Sequence, residues 1–247
     1  MIHVKSEREI ELMREPCRVV KDTLAFVGTK IQAGMTTKEL DVLIERFIRS
    51  EGAYPSCLGY GGFPASACIS VNDMVVHGIP DDRVIRQGDI VSVDLCAYKN
   101  GYHGDACRTF CIGKVAPEVE KLVKVTEECF FKGIEGLKAG TPVYDIGYRV
   151  QKHAESFGYG VIRSYTGHGI GKEMHEDPNV PNYGKLGTGT RLRAGTVICV
   201  EPMIALGGWQ VKLLPDGWGA VTVDGKPAAH YENTLVVRED GVEILTL

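Results

Sequence analysis

A chain of 247 residues accommodates one large domain or two small ones, and an apolar content of 44% supplies a substantial core. A formal net charge of −4 without any basic run excludes a nucleic-acid ligand held through its phosphates, which needs clustered Lys and Arg. Met1 to Lys5 leads straight into a charged segment, with no secretory h-region and no apolar run of about 18 residues, so a soluble cytoplasmic protein with no membrane partner is expected.

The first predicted element is a helix carrying Ile10, Met13, Val20, Leu24 and Val27 at helical spacing. A turn at Ala33-Gly34-Met35-Thr36 follows, then a helix over 37–50 that Thr36 or Thr37 can cap, closed by Ser50-Glu51-Gly52. Cys57-Leu58-Gly59-Tyr60-Gly61-Gly62-Phe63 reads as a Gly-rich loop on the core, and Val75-Val76-His77-Gly78 as an apolar strand ending in a histidine. Residues 90–98 alternate as a strand, Asn100-Gly101 marks a hairpin turn, and 102–112 returns as a second strand. A two-residue turn there pairs Lys99 with Tyr102, Cys96 with Asp105 and Asp94 with Cys107. Asp94 and Asp105 then become diagonal neighbours on one face, about 7–8 Å apart.

After a short connector at 113–117 the order repeats. Val119, Leu122, Val123, Val125, Phe130 and Ile134 mark a helix, Ala139-Gly140-Thr141-Pro142 a turn, and 143–156 a helix with Pro142 suited to its first turn. The strand Arg86-Gln-Gly-Asp-Ile-Val-Ser-Val-Asp94 has a counterpart in Arg193-Ala-Gly-Thr-Val-Ile-Cys-Val-Glu201, so Asp94 and Glu201 are equivalent. Several matches in one order at one offset indicate an internal duplication, with halves of about 1–113 and 114–247 in a single α+β domain. The repeat is too long for a solenoid period.

Glu232, entering an apolar run at 234–237, echoes Asp105 entering 108–112, which gives each half two strand-end acids. Solvated turn aspartates would look the same in isolation, but an acid ending a half-buried strand needs a cationic partner. Three histidines stand beside Gly or Pro turns: His77, His168 in Gly167-His168-Gly169-Ile170-Gly171, and His175 in Met174-His175-Glu176-Asp177-Pro178. Any one of them alone reads more simply as a hydrogen-bonded structural residue. His3, His103, His153 and His230 carry no such signal, although His103 is two residues from Asp105. Two Asp, two Glu and one imidazole suit Mn²⁺, Fe²⁺ or Co²⁺ and tolerate Zn²⁺, and are too acidic for one four-coordinate zinc. Four carboxylates, some bridging, can hold two divalent ions about 3.5–4 Å apart and make a water nucleophilic near neutral pH. The eight cysteines contain no CxxC and sit among apolar neighbours, as reduced thiols do.

Taken together, Val76-His77-Gly78-Ile79-Pro80, Val93-Asp94, His103-Gly104-Asp105, Thr166-Gly167-His168-Gly169-Ile170-Gly171, Val200-Glu201-Pro202-Met203 and Tyr231-Glu232-Asn233-Thr234 resemble the type I methionine aminopeptidases over essentially the whole chain. The resemblance implies the duplicated pita-bread fold, a curved antiparallel sheet covered by two pairs of helices. It implies removal of the initiator methionine from peptides and nascent chains near the ribosome when the second residue is small. It implies metal ligands at Asp94, Asp105, His168, Glu201 and Glu232, with Asp105 and Glu232 bridging both ions, Asp94 on one, and His168 with Glu201 on the other.

By the same resemblance His175 donates to the scissile carbonyl oxygen, His77 hydrogen-bonds the backbone nitrogen of the second residue, and Glu201 shuttles the proton to the leaving amine. Cys57, Tyr60, Phe63, Cys68 and Trp218 would line the methionine pocket, and backbone carbonyls near Asn72 and Met74 would hold a monovalent cation. Gly61 stands where members often have histidine, and Met174 where they often have an aromatic residue. The alternatives are an X-Pro aminopeptidase or dipeptidase of the same fold, which usually carries a further N-terminal domain, and a non-catalytic protein-binding homologue. The first repeat begins within ten residues of Met1, all five ligand positions are Asp, Glu or His, and no long insertion separates His175 from Glu201, so the short bacterial monomeric form is expected.

Overall fold

The computed structural model describes residues 2–247. The first half runs α1 (Glu7–Lys30), α2 (Thr37–Ser50), β1 (Tyr54–Pro55), a 3₁₀ turn at Tyr60–Gly62, β2 (Cys68–Val71), β3 (Met74–Val76), β4 (Ile90–Lys99) and β5 (Tyr102–Cys111). The second runs α3 (Pro117–Ile134), α4 (Tyr144–Ser156), β6 (Gly160–Val161), β7 (Gly167–Gly169), β8 (Glu176–Val180), β9 (Val197–Val200) and β10 (Met203–Ala205). It closes with β11 (Val211–Leu213), β12 (Ala220–Thr222), β13 (Ala228–His230), β14 (Glu232–Val237) and β15 (Val242–Ile244). Among the described residues no helix is long and apolar enough to cross a membrane.

Local chemistry sets the helix starts. Ser6 and Glu9 form a reciprocal capping box on α1, and Thr36 with Glu39 does the same on α2. Thr36 is therefore the cap and Thr37 the first helical residue. Pro142 was expected in the first turn of α4, but it lies before the cap residue Val143, bridged to Arg191.

The main sheet has the order β1-β4-β5-β14-β9-β7-β8, with β2 also on β4 and β15 also on β14. Asn100 and Gly101 both take positive φ (56° and 84°), the conformation of a type I′ turn, and the β4–β5 register is the one expected from the sequence. The two halves meet where β5 pairs with β14. Alternation divides the sheet faces. Val91, Val93 and Leu95 join Val20, Leu24 and Ile44 in the core under α1 and α2. Ile198, Val200 and Leu235 join Phe130, Ile134 and Ile146 under α3 and α4. The residues between them on each strand point to the opposite face, which carries the acids. A smaller sheet, β11-β12-β3, crosses between the halves and pairs Ala220 with Val76. That pairing brings the loop bearing Trp218 beside His77.

Candidate active site

The four central strands each present an acid and, two residues away, a thiol or hydroxyl: Asp94/Cys96, Asp105/Cys107, Cys199/Glu201 and Glu232/Thr234. Asp94 is opposite Cys107, Cys107 is opposite Glu232, and the Asn233–Val200 pair next to it sets Glu201 beside Glu232. Asp105 lies opposite Cys96, and its backbone exchanges two hydrogen bonds with the Thr234 hydroxyl, at 3.0 and 2.8 Å. Across the strands Cys107 separates Asp94 from Glu232, while Glu232 and Glu201 are direct neighbours.

Burial dominates the electrostatics. It pushes Asp94 up to about 7, and with repulsion from neighbouring carboxylates it pushes Asp105, Glu201 and Glu232 well above the carboxylate range. Among the described residues no Lys or Arg lines the cavity. Arg108, the cation closest in sequence, is spent on the carbonyls of Cys107 and Glu232 and on Asn233 Oδ1. Asp105 Oδ1 and Glu232 Oε1 are buried with no hydrogen-bond partner among the described residues. Ligand atoms of Asp105, His168, Cys199 and Glu232 lie within 4.8 Å of one another. Clustered carboxylates with bare oxygens and no side-chain cation fit divalent metal ions.

His168 is prepared for the same task. Its Nδ1 lies 2.9 Å from the Gly169 carbonyl, which can only accept, so the proton is on Nδ1 and the lone pair on Nε2. Nε2 is 3.6 Å from Glu201 Oε1 and 3.9 Å from Asp105 Oδ2. Burial lowers its pKa to about 3, which keeps the ring neutral. The flanking glycines are obligatory, since a Cβ at Gly167 would sit 2.3 Å from the Cys199 carbonyl and one at Gly169 2.1 Å from that of Asp177.

His77 follows β3 with φ of 58°, a left-handed conformation costly for a residue with a Cβ, and meets Tyr165 edge-on at 5.3 Å. His175 packs edge-on against His168 at 4.2 Å, and its Nδ1 is 2.6 Å from the Tyr60 hydroxyl. Burial lowers the pKa of both rings. Phe63 and Trp218 meet edge-on at 5.1 Å, with Cys57 and Cys68 packed beside them. The cavity of about 340 Å³ brings together every site residue expected from the sequence: Cys57, Tyr60, Phe63, Cys68, His77, Asp94, Asp105, His168, His175, Glu201, Trp218 and Glu232.

It also admits Met174, already marked as a departure from the family, and two residues that sequence reasoning passed over, Tyr165 and His230. His230 is a correction to the expectation of an ordinary histidine. It is 2% exposed, its Nε2 has no hydrogen-bond partner, and that atom is 3.7 Å from Glu201 Oε2. The available signal was its spacing of two from Glu232, which puts both on one face of an extended chain. His103 lies outside the cavity, its Nδ1 2.8 Å from Ser56 Oγ.

The chain belongs to metallopeptidase family M24, whose profile matches residues 11–239. It is 52% identical to the methionine aminopeptidase of Clostridium acetobutylicum over 100% of this chain and 99% of that protein. The crystal structure of methionine aminopeptidase from Thermotoga maritima superposes with a TM-score of 0.98, at 42% identity, over 100% of this chain and 99% of that one. The X-Pro aminopeptidase of the same organism superposes less well, with a TM-score of 0.78 at 26% identity, over 99% of this chain and 62% of that one. The architecture is the pita-bread fold of these enzymes, an α+β fold with a curled antiparallel sheet and four helices. The chain is a metal-dependent aminopeptidase.

Proposed function

We propose that this enzyme removes the N-terminal methionine from peptides and nascent proteins whose second residue is small. The observation that carries the reading is the juxtaposition of four carboxylates and a lone-pair-bearing imidazole with a pocket walled by Cys57, Phe63, Cys68 and Trp218. Sulfur and aromatic walls suit a flexible thioether. Tyr165 closing on His77 supports a small second residue.

Asp105 and Glu232 would hold two divalent ions jointly, Asp94 one, and His168 with Glu201 the other. The ions belong to the Mn²⁺, Fe²⁺, Co²⁺ or Zn²⁺ class. When bound they supply Lewis acidity, making a water nucleophilic and the scissile carbonyl electron-poor. The residues do the rest. His175 donates to the scissile oxygen as it becomes an oxyanion, and His77 holds the backbone nitrogen of the second residue. Glu201 takes the proton of the attacking water and gives it to the leaving amine. Its Oε1 lies 3.6 Å from His168 Nε2 and its Oε2 3.7 Å from His230 Nε2, so an imidazole flanks each oxygen of the carboxylate. A monovalent cation on the carbonyls near Asn72 and Met74 is part of the same reading.

We read the chain as one catalytic domain whose halves join near residue 113, which the β5–β14 and β3–β12 pairings support. A monomer acting on emerging chains belongs to the same reading, and eight free cysteines support a reducing compartment such as the cytoplasm. The deciding assay offers Met-Ala-Ser and an Ala-Pro peptide to metal-stripped protein reloaded with each ion in turn. Cleavage of Met-Ala-Ser is expected; cleavage of Ala-Pro alone would make the enzyme a proline-directed peptidase.

A further inference from the structure

The wall of the methionine pocket and the oxyanion donor are joined by one hydrogen bond. Tyr60 Oη lies 2.6 Å from His175 Nδ1, and the two rings are 5.1 Å apart. The residues are 115 positions apart in the chain. Tyr60 belongs to the Gly-rich turn before β2, where Gly59, Gly61 and Gly62 all take positive φ. His175 ends the loop between β7 and β8, between buried Met174 and Glu176, which is paired with Lys5. Its ring also packs edge-on against His168.

A neutral imidazole has one N–H and one lone pair. A phenol donating to Nδ1 holds the lone pair there and the proton on Nε2, at the other end of the ring. Nε2 must be protonated if His175 is to donate to an oxyanion. We propose that Tyr60 is a positioning residue whose hydroxyl fixes His175 in the Nε2–H form, so that a side chain seated against Tyr60 strengthens the oxyanion contact. The proposal rests on the methionine-removing reading given above. Tyr60 is 45% exposed, leaving ring surface for a thioether to cover. Covering it restrains the phenol in the bonded position, so filling the pocket raises kcat as well as lowering KM.

Two measurements on the full-length, Zn²⁺-loaded protein decide this. In ¹⁵N-histidine NMR spectra, wild type is expected to show His175 protonated at Nε2. Tyr60→Phe should show mixed tautomers at His175 with the His168 signals unchanged. A wild-type His175 protonated at Nδ1 overturns the proposal. In kinetics with Met-Ala-Ser, Tyr60→Phe should lower kcat roughly five- to tenfold, the rate equivalent of one hydrogen bond, with KM nearly unchanged. In a His175→Ala background the same change should have no further effect. A loss confined to KM, or an undiminished loss without His175, would make Tyr60 a wall only. If wild type fails on Met-Ala-Ser with every ion, the functional reading falls, and the NMR comparison still decides the tautomer.

Discussion

Cys107 stands directly opposite Glu232 where β5 meets β14, and it is opposite Asp94 on its other side. Burial, with Asp94 and Glu232 beside it, pushes the thiol pKa well above its ordinary value, so Cys107 is a neutral spacer between two acids. Its thiol donates to the His230 carbonyl at 3.7 Å. Cys107→Ser keeps neutrality and a donor and is expected to cost about 1 kcal/mol. Cys107→Asp adds another carboxyl to the row and is expected to cost at least about 3 kcal/mol in the metal-free protein. Urea midpoints of the two variants test this; equal midpoints would show that charge spacing is irrelevant here.

The metal-free protein should also lose stability as pH rises above about 7.5. The sign follows from the direction of each shift. Carboxyls whose pKa is raised in the fold bind more protons folded than unfolded, so stability falls with rising pH, from near 3.8 through about 7 for Asp94 and further for Asp105, Glu201 and Glu232. His168 and His230, lowered to about 3 from 6.5, act in the opposite sense between those two values. About one pH unit above 6.5 the histidines are nearly neutral in both states, and the carboxyls act at about 1.4 kcal/mol per pH unit for each one still protonated in the fold, joined in the same sense near pH 8.5 by buried thiols such as Cys107. Thermal midpoints between about pH 7.5 and 8.5 should fall for stripped protein, and more steeply than with saturating Mn²⁺. A flat profile in the stripped protein would contradict the buried-carboxyl picture.

Much of this was legible from local signals. Asn100-Gly101 fixed a hairpin register because a type I′ turn permits only one pairing, and the acids ending apolar strands were anomalous enough to mark four candidate ligand positions. His230 escaped because β13 ends there and Tyr231 breaks the strand before Glu232. The role of the thiols at 96, 107 and 199 as neutral spacers escaped because a buried cysteine beside Leu95, Ala106 or Val200 looks like ordinary core. The Tyr60–His175 bond and the approach of Trp218 to His77 depend on long-range pairing, which leaves no periodic trace in sequence. Resemblance, not residue pattern, assigned Tyr60 and Trp218 to the pocket.

His230 should tune the metal site through Glu201. With its Nε2 3.7 Å from Glu201 Oε2, the imidazole limits how that carboxylate can rotate away from His168. Replacing it with Leu should weaken affinity for the more loosely held divalent ion about tenfold, the usual scale for an outer partner of a ligand, while His230→Gln keeps a donor and most of the affinity. Calorimetric titration of stripped protein with Mn²⁺ measures both. Identical affinities in wild type and His230→Leu would remove His230 from the site.

The last prediction concerns Lys5, which reaches Glu176 at 2.5 Å with only 4% of its side chain exposed. Lys5 is anchored by its backbone to Gly195 and by its ammonium to the His3 carbonyl, so the ion pair ties the segment before α1 to the residue following His175. Breaking a buried pair from one side leaves the other charge uncompensated. Lys5→Met should therefore cost about 3 kcal/mol and lower kcat more than it raises KM, because His175 loses its anchor. Glu176→Gln in the same chain removes the stranded carboxylate and should recover part of the stability. The catalytic defect should remain, since the tether is still absent. Denaturation and Met-Ala-Ser kinetics on the two single variants and the double give the coupling. Strict additivity would mean that Lys5 and Glu176 act independently, and unchanged kcat in Lys5→Met would mean that the loop positions His175 without them.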